Sequence, residues 1–285
     1  MTALLFIRDL LLATLGQLAS LFAGLVVFGL LINFLSKFTY HSMERAFGIR
    51  SAYILAWLGT PIHELGHSLF CLIFFHKIVE MKLFSPDPVQ GTLGYVKHTW
   101  DKKNPWQVLG NFFIGVGPII LGSLVLFGVF YLLIPGSSNV WSDIMAQSKA
   151  LDSHAVGSYF RLWGSSSVEL LKIIFTLSNL AGWRFWVFLY LAVCISSNVR
   201  LSWADFKHTL SGLGCVILPF LLLNLIGMLV GSGGEALFPA TAASLGAVYG
   251  VLILALVMAL VGFIIIYFFA ALYYRLKYRT VLKPF

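Results

Sequence analysis

The sequence predicts an all-α polytopic membrane protein of about six transmembrane helices, with a small β-hairpin in the loop after the second span. Three observations predict it. The 285-residue chain is 59% apolar and only 11% charged, where a soluble domain is nearer a quarter charged. Its mean hydropathy is +0.91. Apolar runs of the roughly 20 residues needed to cross a bilayer recur along its length. No soluble domain of any size fits that distribution. The excess of 19 basic over 11 acidic residues, net +8, points to basic cytoplasmic loops rather than to nucleic acid.

The first span falls near 10–35. It is too long for a signal-peptide core and reads as a retained helix. The others fall near 51–75, 108–134, 183–201, 210–231 and 242–272. Arg184, Asn198 and Arg200 crowd the fourth. After the second span, Val79 to Phe84, the turn-rich Ser85 to Gly91, and Thr92 to His98 read as two strands around a turn. Val168 to Ser178 mixes Glu169 and Lys172 with apolar residues, and reads either as an interfacial amphipathic helix or as part of the fourth span. Gly110, Gly115, Gly117 and Gly122 let the third span approach its neighbours, and Pro118 kinks it. These elements divide the chain into an N-terminal helix and loop over 1–50, a core with three spans over 51–210, and two C-terminal helices with a basic tail over 211–285. Cys71, Cys194 and Cys215 all lie in apolar stretches, which leaves neither a disulfide framework nor a Cys-rich metal site.

The connections carry orientation. Lys77, Lys82, Lys97, Lys102 and Lys103 fill the loop from His76 to Trp106, and Arg275, Lys277, Arg279 and Lys283 fill the tail. The loop from Gly231 to Ala240 has no basic residue. With six spans the Lys-rich loop and the tail share a side, which the positive-inside rule makes cytoplasmic, with both termini inside. Lys37, Arg45 and Arg50, after the first span, pull the other way.

The chemistry sits in the second span. His63, Glu64, Leu65, Gly66 and His67 form an H-E-x-x-H pattern. On a helix the two imidazoles project from one face, one turn apart, where they can share one zinc ion. Glu64 then stands beside the metal as a general base toward water. Ionisable groups within a membrane span cost a few kcal/mol each on insertion scales, so a buried pair of His residues with a merely hydrogen-bonded Glu is hard to justify energetically. A catalytic zinc takes three protein ligands. Among the few acids and imidazoles left, Asp205 is the best third ligand, and His208, three residues on, shares its helix face. Either one ligates and the other supports it from outside. The plainer reading of Asp205 is a helix-start acid paired with Arg200 or Lys207. His76, Asp87 and His98 are weaker candidates in the loop. Asn111 and Asn198 need partners near the membrane, and either position a substrate backbone or bridge helices.

In this order the motifs resemble those of the site-2-protease-type intramembrane zinc metalloproteases, over roughly residues 50 to 210. His63-Glu64-Leu65-Gly66-His67 is similar to the family's H-E-x-G-H on its first core helix. Gly117-Pro118 resembles the A-G-P element on the next. Asn198 followed by Asp205 resembles the N-x-x-P…L-D-G element, whose Asp is the third zinc ligand. The hairpin sits where such proteins carry a β-element near the active site. The chain departs from the pattern in Ala204-Asp205-Phe206, which lacks the Gly after the Asp, in having no Pro between Asn198 and Asp205, and in lacking the Asn expected shortly after Gly-Pro. No stretch of these residues reads as a soluble PDZ-like domain.

The resemblance implies a zinc-dependent endopeptidase of the lipid bilayer. It would cut transmembrane or membrane-proximal segments of membrane proteins, single-span helices among them; the compact chain suits a bacterial inner membrane. His63, His67 and Asp205 would hold Zn2+, with Glu64 catalytic and His208 or Asn198 in support. Two readings from other classes stand beside it. One is a metal transporter or sensor that uses the His pair as a transit site. The other is an inactive, protease-derived protein that binds membrane segments without cutting them.

Overall fold

The computed structural model describes residues 3–87, 92–149, 156–230 and 238–283. Helix α1 (Ala3–Phe47) passes through a 3-10 turn (Ile49–Ala52) into α2 (Tyr53–Ile73). Strands β1 (Lys77–Lys82) and β2 (Tyr95–Thr99) follow. Then come α3 (Pro105–Leu133), α4 (Ser137–Lys149), α5 (Val156–Ile174), α6 (Leu177–Ala181), α7 (Trp183–Ser196), α8 (Trp203–Leu229) and α9 (Phe238–Tyr278).

Among the described residues, four helices are long and apolar enough to cross a membrane: α1 over Leu4–Phe47, α3, α8, and α9 over Val248–Tyr278. The sequence suggested about six. The two that do not qualify are informative. Helix α7 has 14 residues, about 21 Å of rise against a hydrocarbon core of about 30 Å. Helix α2 has 21 residues but carries His63, Glu64 and His67 mid-length. Helix α1 is longer than foreseen: its 45 residues rise about 68 Å. Lys37 and Arg45, read as loop residues, instead continue that helix.

The hairpin forms as an antiparallel pair, Lys82 opposite Tyr95 and Lys77 opposite Thr99, with an irregularity between Ile78 and Glu80. A further bridge joins Asp87 to Thr92. The tip at 88–91 lies outside the described residues, as does 231–237 of the basic-free loop. Val168 to Ser178 turns out to end α5 and begin α6. It is separated from α7 by Gly182, and buries Leu170 and Ile174 in the core. It is therefore no part of a fourth span.

Helix α3 is the hub, packed against α2, α7 and α8, while α1 runs along α8 and α9. Asn104 caps α3, its side chain accepting from the Trp106 and Gln107 amides, and Pro105 takes the first helical position, where its missing N–H has no consequence. The main core joins Phe28 and Ile32 of α1, Leu126 and Phe130 of α3, Phe188 of α7 and Met258 of α9. A smaller one joins Leu18, Phe112, Val116 and Val216, across α1, α3 and α8. Between these cores α2 and the start of α8 meet α3, and the polar residues collect there.

Candidate metal centre

His63 and His67 lie on α2 with ring centroids 5.0 Å apart. The Nδ1 of His63 donates to the Asn198 carbonyl at 2.9 Å, and the Nδ1 of His67 donates to the Ile114 carbonyl at 2.8 Å. A carbonyl can only accept, so both rings carry a proton on Nδ1 and turn Nε2 toward the cluster, where a metal would take its lone pair. The sequence explains why the Ile114 carbonyl is free. Four residues later, where an amide would take it, stands Pro118, which has no N–H. The proline opens one bond of α3, and the His67 ring fills it.

Close helix contact makes that reach short. A Cβ on Gly66, the Gly of the H-E-L-G-H run, would stand 2.7 Å from the N and Cα of Pro118. A Cβ on Gly117 would stand 2.6 Å from the Gly66 carbonyl. On the other side of α3, a Cβ on Gly115 would meet the Asp205 carbonyl at 2.5 Å and the Thr209 amide at 2.7 Å. Glycines at these three positions let α2 and α8 lie against the same stretch of α3.

Asp205 has two tasks. As the third residue of α8 it completes a capping box: Ser202 Oγ accepts from the Asp205 amide at 3.1 Å, and Asp205 Oδ2 accepts from the Ser202 amide at 2.9 Å. The same carboxylate faces the imidazoles, Oδ1 lying 3.2 Å from His67 Nε2 and Oδ2 lying 3.7 Å from His63 Nε2. The carboxylate thus caps α8 and faces both imidazoles at once, without, among the described residues, the ion pair to Arg200 or Lys207 that the plainer reading expected. Ligands about 2.0–2.1 Å from a tetrahedral ion are about 3.3 Å apart, and these separations straddle that value. The donor atoms of His63, His67 and Asp205 all lie within 4.8 Å of one another, so the group could hold a metal ion. Two imidazoles and a carboxylate suit several divalent metals.

Glu64 is buried, 7% exposed, and stands beside this group without joining it. A Cβ on Gly94 would come within 3.0 Å of its Cγ and 2.7 Å of the Leu83 carbonyl, so the hairpin lies directly on the Glu64 side chain. A cavity of about 390 Å³ opens over the cluster, walled by Thr92 to Val96 and His98 on one side and by Ile114, Asn198 and Asp205 on the other. That is within the usual size of a ligand pocket, about 300–1,000 Å³.

The other candidates fall elsewhere. Asn198 meets the cluster through its backbone. Its side chain is spent on Tyr40, Thr60 and the Cys194 carbonyl, tying α1, α2 and α7 together. Asn111 is buried in α3 with its Oδ1 unpaired among the described residues. His208 lies outside the ligand group. Its ring packs on His98 and Trp100, with centroids at 5.3 and 5.8 Å. His76 Nε2 donates to the Gln107 carbonyl at 2.7 Å, which leaves Nδ1 of the neutral ring to accept from His98 Nδ1 at 3.0 Å. Burial, then the neighbouring His208 and His76, hold His98 down to about 4, and burial lowers His76 as well. Asp87 lines a second cavity with Arg200.

Sequence reading missed the Ile114 carbonyl, the Gly94 contact with Glu64, and the place of Arg200 in the cavity wall. Only the first had a signal, the proline four residues on. Comparison of the chain with protein-family models, with curated proteins and with solved structures finds no match in any of the three.

Proposed function

We propose that the chain is a zinc-dependent endopeptidase that cuts transmembrane or membrane-proximal segments of other membrane proteins. The observation that carries the reading is the convergence of His63, His67 and Asp205 with Glu64 beside them in one cavity, among helices apolar enough to cross a membrane. His63, His67 and Asp205 would hold the ion, with the Asn198 and Ile114 carbonyls keeping a proton on Nδ1 of each imidazole and Nε2 turned to the site. Zinc, when bound there, supplies a Lewis acid and brings a water's pKa toward about 7. Glu64 takes a proton from the attacking water and returns it to the leaving nitrogen, so the new C–O bond replaces the C–N bond without net gain or loss of protons.

A helical substrate hides its carbonyls in its own hydrogen bonds, so the cleaved stretch unwinds first. Thr92 to Val96 line the cavity, and an extended segment is taken up there by strand addition. Replacing Ser85 to Gly91 with an unstructured linker then cripples cleavage while leaving the metal bound. Unchanged cleavage refutes the clamp. Both termini are then cytoplasmic, in a bacterial inner membrane: this needs α2 and α7 to cross as well, because only six spans put the Lys-rich loop and the basic tail on one side. An alkaline phosphatase fusion at the tail is inactive if that orientation holds, and active if it does not.

The test of the activity is Glu64→Gln. Cleavage falls roughly a hundred- to ten-thousandfold, the usual contribution of a general base, while the metal content stays that of the wild type. Quantitative membrane proteomics of native cells carrying this variant shows one or a few single-span proteins accumulating uncut. If no membrane protein changes, yet deletion of the chain still has a phenotype, the non-cutting reading replaces this one.

A further inference from the structure

Arg200 lines two cavities at once. One is the cavity over the metal cluster. The other, about 200 Å³, lies beside it, and Thr92, Leu93 and Arg200 belong to both. Among the described residues, no other Lys or Arg lines either one. The guanidinium lies 5.7 Å from the centroid of the Tyr40 ring, in cation–π range. Among the described residues it has neither an ion pair nor a side-chain hydrogen bond.

Its position is tied to the cluster. The Arg200 amide donates to the Asn198 carbonyl at 2.9 Å, the same oxygen that accepts from His63 Nδ1. The Tyr40 hydroxyl under the guanidinium bonds the Asn198 amide at 2.9 Å. Whatever the guanidinium holds is therefore held in register with the metal ligands. A planar fork of five donors, beside an aromatic ring and without an ion pair among the described residues, can take a carboxylate with two parallel hydrogen bonds.

We propose that Arg200 is a specificity subsite for a carboxylate of the substrate, an Asp or Glu side chain close in sequence to the bond being cut. The ligand's identity as a peptide segment rests on the endopeptidase reading. Glu44 and Asp87 face the second cavity, and Glu64 and Asp205 face the first. Their charge opposes an incoming carboxylate, and this holds the expected gain to about tenfold in affinity, near the lower end for a charge-assisted pair.

Binding can be read apart from cleavage. The full chain carrying Glu64→Gln is reconstituted in phosphatidylcholine vesicles and titrated with fluorescent, apolar single-span peptides. Each carries one Glu, stepped along the segment, and is paired with a Gln twin. At one or two positions the Glu peptide binds about tenfold tighter than its twin. The preference disappears when Arg200→Gln is added, and survives in weakened form with Arg200→Lys, which keeps the charge but not the fork. Equal binding of every Glu and Gln pair overturns the proposal, and this comparison needs no Arg200 variant to fold. A preference that survives Arg200→Gln, in protein with full metal content, also overturns it. Loss of the preference in phosphatidylglycerol vesicles assigns Arg200 to a lipid phosphate, which overturns the peptide assignment. An Arg200-dependent preference in a chain whose wild type cuts none of the peptides sinks the endopeptidase reading and leaves the subsite standing.

Discussion

Two histidine clusters lie side by side in this chain, and they do opposite things with their ring nitrogens. In the first, His63 and His67 each spend Nδ1 on a backbone carbonyl and turn Nε2 toward a shared carboxylate, Asp205. In the second, His76 and His98 spend Nδ1 on each other, His76 spends Nε2 on the Gln107 carbonyl, and the rings stack with Trp100 and His208. Both hold buried or half-buried imidazoles. Only the first turns two ring nitrogens toward a common point with a negative charge beside them. A metal site is therefore defined less by how many histidines gather than by what holds the far nitrogen of each.

The largest effect that tests this contrast comes from removing a ligand. Asp205→Ala lowers metal affinity by about a hundredfold or more, beyond the 10–100-fold typical of an outer partner. His208→Ala leaves one metal per chain. Metal analysis of the purified variants decides: equal losses, or two metals per wild-type chain, break the distinction between the clusters. A smaller effect concerns how the first cluster is assembled. Gly66→Ala puts a methyl against Pro118, and overpacking of this kind costs about 1–3 kcal/mol. The thermal midpoint in detergent falls accordingly. Gly128→Ala, where a Cβ meets nothing within 4 Å, does not lower it. If both variants melt alike, the Gly66 contact is not what brings α2 onto α3.

The smallest effect belongs to the second cluster and sharpens the comparison by pH. His98 is neutral in the fold, its pKa lowered from 6.5 to about 4. Between these values the unfolded chain binds a proton that the folded chain refuses, so stability rises with pH across that window and levels off above it. Hydrogen exchange of the hairpin amides quickens as pH falls from about 6.5 toward about 4, once the intrinsic exchange rate is corrected for. His98→Gln flattens the change. A hairpin whose protection ignores pH in the wild type refutes the buried neutral ring.

Much of this was legible in the residues. The composition and apolar runs placed the chain in a membrane, the alternation around Ser85 to Gly91 placed the hairpin, and the four-residue spacing of His63 and His67 placed two donors on one helix face. The span count was less legible. Apolar content alone does not show that α7 stops after 14 residues or that α1 runs on through Lys37 and Arg45. Helix α4 (Ser137–Lys149) went unforeseen because its pattern is polar and its stability comes from packing on α9 and α5.

What the sequence determined by itself is local: helical periodicity, the turn, and the side chains able to bind a metal, all of which depend on near neighbours in the chain. What only the tertiary structure decided is which distant group completes the site. Asp205 and His208 sit one turn apart on the same helix face, and both have the chemistry to ligate. Gly115 against α8 and Gly66 against Pro118 bring Asp205 to the His63 and His67 ring nitrogens and leave His208 against His98. Contacts between helices far apart in sequence set that choice, because ligation depends on distances of a few ångströms that no spacing along the chain encodes.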